Sequence, residues 1–172
     1  PNGVIVYDPA DEDNAILTDF PFHASGNTLT TAIPLGDLGL LPGQTIALSA
    51  FQEGASDGWM VDWLESAQLE LNSGEAPPAP VAGVDDPADL PDSSGDIKRI
   101  EGTIASGQLV LRMSVHGTIL PTVEQTPEGK VNRYYYHWLV DTDNNPATGR
   151  SNAEYEGNPT GVTKPVGADL VV

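Results

Sequence analysis

Asp141, Asp143 and Asn145 stand at alternate positions just where a strongly β-forming run, Tyr134 to Val140, gives out. Tyr, Trp and Val suit a pleated, half-buried surface, and Pro146 and Gly149 then force the chain to turn. A strand exit of this kind points several hard oxygens at one spot. Ca²⁺ asks for that arrangement, taking about six to eight oxygens from carboxylates, amides, carbonyls and water. The stretch is not an EF-hand, whose loop needs Gly at its sixth position and Glu at its twelfth; Pro146 and Asn152 occupy those places. Spacing alone leaves two readings open, a Ca²⁺ site and a solvated turn held by its own Asp and Asn side chains.

Other chemistry finds less support. His23, His116 and His137 are the only histidines, and His137 sits in a strand beside Trp138, where a packed or surface role is expected. No HExxH, GxSxG or P-loop pattern occurs. Carboxylates are so abundant that two of them near each other do not define an acid–base pair. No catalytic centre is expected.

Composition sets the frame for these residues. The chain has 172 residues, no cysteine and a formal net charge of −18. Neither disulfides nor thiolate metal sites are therefore available. Residues 1–72 hold eleven Asp or Glu and no Lys or Arg, and all seven basic residues lie between Lys98 and Lys164. Without a basic patch, nucleic acid is excluded as a partner. Divalent cations or salt would relieve the carboxylate repulsion, which fits a secreted, extracellular or cell-surface setting. No apolar run approaches the length of a membrane span. With 18 Gly and 15 Pro between many short strand-like runs, the expected class is all-β.

The elements that must position the Asp-rich turn read as follows. Gly3 to Tyr7 is a short strand, followed by an acidic turn to Asn14. Asn27 to Ile33 is a weakly alternating strand, and Pro34 to Gly39 a single turn or loop. Gln44 to Gln52 is a strand with Ile46, Leu48 and Ala50 on one face; an aromatic segment around Trp63 and a strand from Gln68 to Leu71 follow. Residues 73–84 have the composition of a semi-rigid Pro-rich linker, and Asp85 to Gly95 reads as an acidic loop. Ile97 to Ala105 and Gln108 to His116 form a hairpin around Ser106-Gly107. In its second strand Leu109, Leu111, Met113 and Val115 share a face, the signature of a sheet with one buried side. Lys130 to Val140 is the longest strand, and Gly167-Ala168-Asp169-Leu170 opens another.

Trp138 to Gly149, followed by Gly167-Ala168-Asp169-Leu170, resembles secreted bacterial β-sandwich domains of the DOMON-like group that includes carbohydrate-binding module family 9. Those domains carry a strand, a "DTDxNxxTG" turn and a "GADY" strand opening. Asp86-Pro87-Ala88-Asp89 with Asp96-Ile97 resembles their N-terminal portion, whereas Asn27 to Leu38, Thr45 to Phe51 and Asp62-Trp63-Leu64 resemble their C-terminal portion. The order is inverted: residues 1–72 resemble the second half of the sandwich and residues 85–172 the first. Leu170 stands where an aromatic is usual. The resemblance implies an antiparallel β-sandwich of jelly-roll or DOMON-like type. It also implies a Ca²⁺ cofactor with Asp141, Asp143, Asn145 and Asp169 as ligands. For the alternative function, a carbohydrate-binding module, it implies a sugar-stacking surface for polysaccharide with Trp59, Tyr135 and His137 as candidates. Alternation puts Tyr135 and His137 on the face opposite Tyr134, Tyr136 and Trp138, and Trp138 is expected in the core.

The inverted order has three readings: a circular permutant, one period of a tandem array, or a subunit whose sandwich is completed by a neighbouring copy. A head-to-tail contact of the last kind builds open filaments. The leading expectation is a calcium-binding extracellular structural protein that assembles with copies of itself. In it the strand at Gly3–Tyr7 pairs beside the strand from Ala168, the two coming from successive chains or repeats.

Overall fold

The computed structural model describes residues 3–55, 60–71, 82–119, 124–125, 131–151 and 163–172. In chain order the strands are β1 Val4–Tyr7, β2 Ala15–Phe20, β3 Phe22–Ser25, β4 Thr28–Pro34, β5 Thr45–Ala55, β6 Met60–Trp63, β7 Ala67–Glu70 and β8 Ala82–Asp85. They continue with β9 Ile97–Ala105, β10 Gln108–Val115, β11 Glu124–Gln125, β12 Val131–Asp141, β13 Arg150–Ser151, β14 Gly167–Ala168 and β15 Leu170–Val171. A 3-10 turn, Leu35–Leu38, ends on Gly39 at φ 68°, a left-handed position that glycine takes without strain. No helix among the described residues is long and apolar enough to cross a membrane.

Two antiparallel sheets form the body. The larger runs β2-β1-β15-β12-β5-β6, with β7 also on β5 and β11 on β12; the smaller runs β3-β4-β10-β9-β8. Their inner faces follow the period-two pattern that burial of one side imposes. Leu109, Leu111, Met113 and Val115 of β10 meet Ile46, Leu48 and Ala50 of β5 and Trp138 and Val140 of β12 in one core. At Gly102 of β9 the sheets pack tightly, because a Cβ there would run into Leu48 and touch Leu69. A register shift at Ser114/Val115 turns both Ile97 and Ile100 of β9 inward.

The halves at 1–72 and 85–172 interleave throughout. β4 pairs with β10, β5 with β12 and β1 with β15. The expected pairing of the first strand with the strand after Ala168 is present, with Tyr7 opposite Val171. Here it joins the two ends of one chain. Glu12 pairs with Arg150, and Glu65 accepts N–H groups from Thr163 at 2.7 Å and Lys164 at 2.6 Å. These bonds carry the anionic first half onto the second.

Three features depart from expectation. β2 and β3 are strands without apolar alternation, because as outlying strands they remain largely exposed. Ala82 to Val84, placed in the linker by composition, belong to β8 and pair with β9; the rest of that linker lies outside the described residues. The larger sheet is also covered on part of its outer face, where Ala47, Phe51, Leu139, Val166, Ala168 and Val171 form a second cluster.

Candidate metal centre

β12 delivers Asp141 as its last residue, and the following turn brings Asp143 back beside it. The short segment between β14 and β15 supplies Asp169. Asp169 is set there by the sheet itself: its N–H bonds the Val140 carbonyl at 3.0 Å while Leu170 pairs with Val140. One carboxylate oxygen from each of Asp141, Asp143 and Asp169 lies within 4.8 Å of the others. Three of the four expected ligands therefore converge.

The fourth, Asn145, joins through its backbone. Its N–H is donated to Asp141 Oδ1 at 2.9 Å and Asp143 Oδ1 at 3.0 Å, and its own Oδ1 accepts from Ala147 N–H at 3.2 Å. The turn is thus held by Asx-type bonds and carries clustered carboxylates as well; the two readings of the sequence describe the same loop. Thr148 donates its hydroxyl to Asp143, and Thr142 gives both its N–H (2.9 Å) and its hydroxyl (2.6 Å) to Asp169 Oδ2. Thr142 and Thr148 are the contributors that spacing alone did not mark.

Two glycines permit this close fit. Gly149 is left-handed at φ 68°, and a Cβ on it would lie 2.6 Å from the Ala168 carbonyl oxygen. A Cβ on Gly167 would clash with the Thr148 carbonyl oxygen. The glycines of "TG" and "GAD" let β14 lie flat against the loop.

Asp141 is buried, at 1% exposure. Burial pushes its carboxyl above the usual range; the N–H groups of Asn145 and Gly167 pull it down, and the Asp143 carboxylate raises it again. Hard oxygen donors with no nitrogen or sulfur among them fit Ca²⁺ in donor type. Asp141, Asp143 and Asp169 would hold it, and bound there it would tie the end of β12 to the start of β15.

The aromatic candidates lie elsewhere. Tyr135 is exposed and His137 half-buried on the outer face of β12, and Trp138 is in the core as expected. His137 stacks on Phe51 with centroids 4.2 Å apart, and Phe51 stacks on Trp63 at 4.5 Å. His137 Nε2 is 3.3 Å from Glu53 Oε1. These rings face one another across three strands, leaving Tyr135 as the exposed end of the row. Trp59 lies outside the described residues. A scan against protein-family models finds none that matches this chain, and searches of curated proteins and of solved structures return no match.

Proposed function

We propose that this protein is a calcium-binding structural β-sandwich that works outside the cell as a subunit or repeat of a self-assembling filament or surface layer. The observation that supports it is the convergence of Asp141, Asp143 and Asp169 at the junction of β12 with the chain's last strands. A cation there would stiffen the place where the N-terminal strand is received. Beyond its hairpin partner β2, β1 meets its sheet through one register pair, Tyr7 opposite Val171, yet it inserts fully buried Val6 into the core. The β1–β2 hairpin passes to the smaller sheet at Pro21 alone. An apolar hairpin at the margin of the sheet, tied to β15 by so short a ladder, is suited to exchange between copies, which yields head-to-tail chains.

Size-exclusion chromatography and electron microscopy of the purified chain, with Ca²⁺ and with chelator, test the reading. It expects calcium-dependent multimers; a monomer at every concentration and in both conditions refutes it. The alternative, a carbohydrate-binding module, draws on exposed Tyr135 at the end of the Trp63–Phe51–His137 row. Saturable pull-down by an insoluble polysaccharide, abolished by Tyr135→Ala, would favour it instead.

A further inference from the structure

A second group of carboxylates lies at the β6 edge of the larger sheet and is built from three separate places in the chain. Asp62 comes from β6, Asp86 and Asp89 from the segment after β8, and Asp96 immediately precedes β9. One oxygen each from Asp62, Asp86 and Asp89 falls within 4.8 Å of the others. An acidic cluster alone says little. Here, however, the neighbouring polar groups are buried and lack partners. Asp96 is 1% exposed, and its Oδ1 has no hydrogen-bond partner; buried Oδ2 of Asp86 is likewise unpartnered. Gln52, fully buried and directly across the strand pair from Asp62, has neither amide atom bonded. Its Oε1 lies against Gly95, where a Cβ would be 2.7 Å away. Leaving a buried oxygen unsatisfied costs about 1–3 kcal/mol, and more when it is charged.

The geometry is fixed from outside. Ile97 N–H is donated to Asp62 Oδ2 at 2.5 Å, Asp86 N–H to the Lys98 carbonyl at 2.9 Å, and His116 N–H to the Asp96 carbonyl at 2.8 Å. Tyr134 and Tyr136 hold the intervening loop through Asp92 Oδ2 and the Ser94 carbonyl, at 2.5 and 2.9 Å. The nearby imidazole of His116 is turned to the Asp86 carbonyl oxygen at 3.1 Å. No Lys or Arg side chain is paired with the four carboxylates among the described residues.

We propose that Asp62, Asp86 and Asp89, backed by the buried oxygens of Asp96 and Gln52, form a second Ca²⁺ site. Its all-oxygen donor set and concentrated negative charge select a hard divalent cation. The ion would supply the partner that the Asp96, Asp86 and Gln52 oxygens lack, and it would clamp β6 of the larger sheet to β8 and β9 of the smaller.

Equilibrium dialysis of chelator-stripped full-length chain against radiolabelled Ca²⁺ tests this. The wild type is expected to bind one ion more per chain than Asp86→Asn/Asp89→Asn. Asp89→Ala, at an exposed position and so compatible with folding, is expected to weaken that one class of site at least tenfold. Asp141→Asn should remove a different class and leave this one intact. Unchanged stoichiometry and affinity in both Asp89 variants would overturn the proposal. So would an Asp62→Asn protein that is more stable without metal and binds calcium as the wild type does; its cluster would then be held by a shared proton.

Discussion

Asp62 Oδ2 accepts the Ile97 backbone N–H at 2.5 Å, joining the edge of the larger sheet to the first residue of β9 across 35 positions of sequence. The same carboxyl is 6% exposed and has Asp86, Asp89 and Asp96 as neighbours. One side chain is therefore both a structural tie and part of a concentrated negative charge.

The tie makes stability depend on pH. Burial, with the neighbouring carboxylates adding to it and the Ile97 N–H opposing, pushes Asp62 up to about 7, and burial likewise pushes Asp86 up to about 6. A carboxyl raised in the folded state favours folding while protonated. That contribution is complete below about pH 4 and gone above about pH 7. Metal-free protein should therefore lose thermal stability as the pH rises from about 5 to 8, and Asp62→Asn, whose amide oxygen still accepts from Ile97, should flatten the loss. The gap between the two proteins is at most about 4 kcal/mol, less where neighbouring carboxyls share the proton. Thermal melts in chelator across this range check it; parallel curves for the two proteins would contradict it. Saturating Ca²⁺ should reverse the slope, because binding needs the ionised form.

Metal removal gives the second prediction. Ligand that binds only the folded state stabilises it by about 2.7 kcal/mol at a hundredfold excess over its dissociation constant. Chelator should lower the melting temperature of the wild type and expose the chain between Asp141 and Val166 to protease. Asp143→Asn, at an exposed position of the loop, should remove much of the calcium-dependent part of that shift and leave metal-free stability within about 0.5 kcal/mol. A melting temperature and cleavage pattern indifferent to chelator would reduce the loop to a turn.

Gly102 offers a test of the sandwich itself. A Cβ there would enter the space of Leu48, which is 2% exposed and has little freedom to yield. Gly102→Ala should cost about 1–3 kcal/mol through overpacking. Combined with Leu48→Ala, it should cost clearly less than the two changes summed, because the methyl fills part of the cavity that the truncated leucine leaves. Chemical denaturation of the four proteins of the cycle decides it, and simple additivity would mean that the sheets do not meet here.

What could be read beforehand follows from which faces are buried. Leu109, Leu111, Met113 and Val115 announce β10 because that strand has one wet side, and Ile46, Leu48 and Ala50 do the same for β5. β2 and β3 lie exposed at the margins, so burial selected no alternation in them. The Pro-rich composition before Ala82 masked β8, whose pairing with β9 is a tertiary choice. The loop carboxylates Asp141 and Asp143 were legible because a single residue, Thr142, separates them, with the resemblance adding Asp169. Asp62, Asp86, Asp89 and Asp96 were not. Their proximity exists only once β6 and β9 are brought together, and nothing in the spacing of Asp62 relative to Asp96 encodes it.

The last prediction concerns how copies join. Tyr7 and Val171 are register partners in adjacent antiparallel strands, and both contribute to the outer apolar cluster. Cross-strand partners have Cα atoms about 4.5–5.5 Å apart, within the range a disulfide spans. The chain has no cysteine of its own, so Tyr7→Cys with Val171→Cys introduces one defined pair. If β1 is exchanged between copies, protein assembled with Ca²⁺ under reducing conditions and then oxidised should run as a ladder of covalent multimers on a non-reducing gel. Protein oxidised first, while dilute, should lock β1 onto its own β15 and fail to assemble. The order of the two steps then decides the product, which no surface-to-surface contact would reproduce. A single intramolecularly crosslinked monomer band from both orders, at concentrations where the wild type forms multimers, would show that β1 stays at home and that any assembly uses another face.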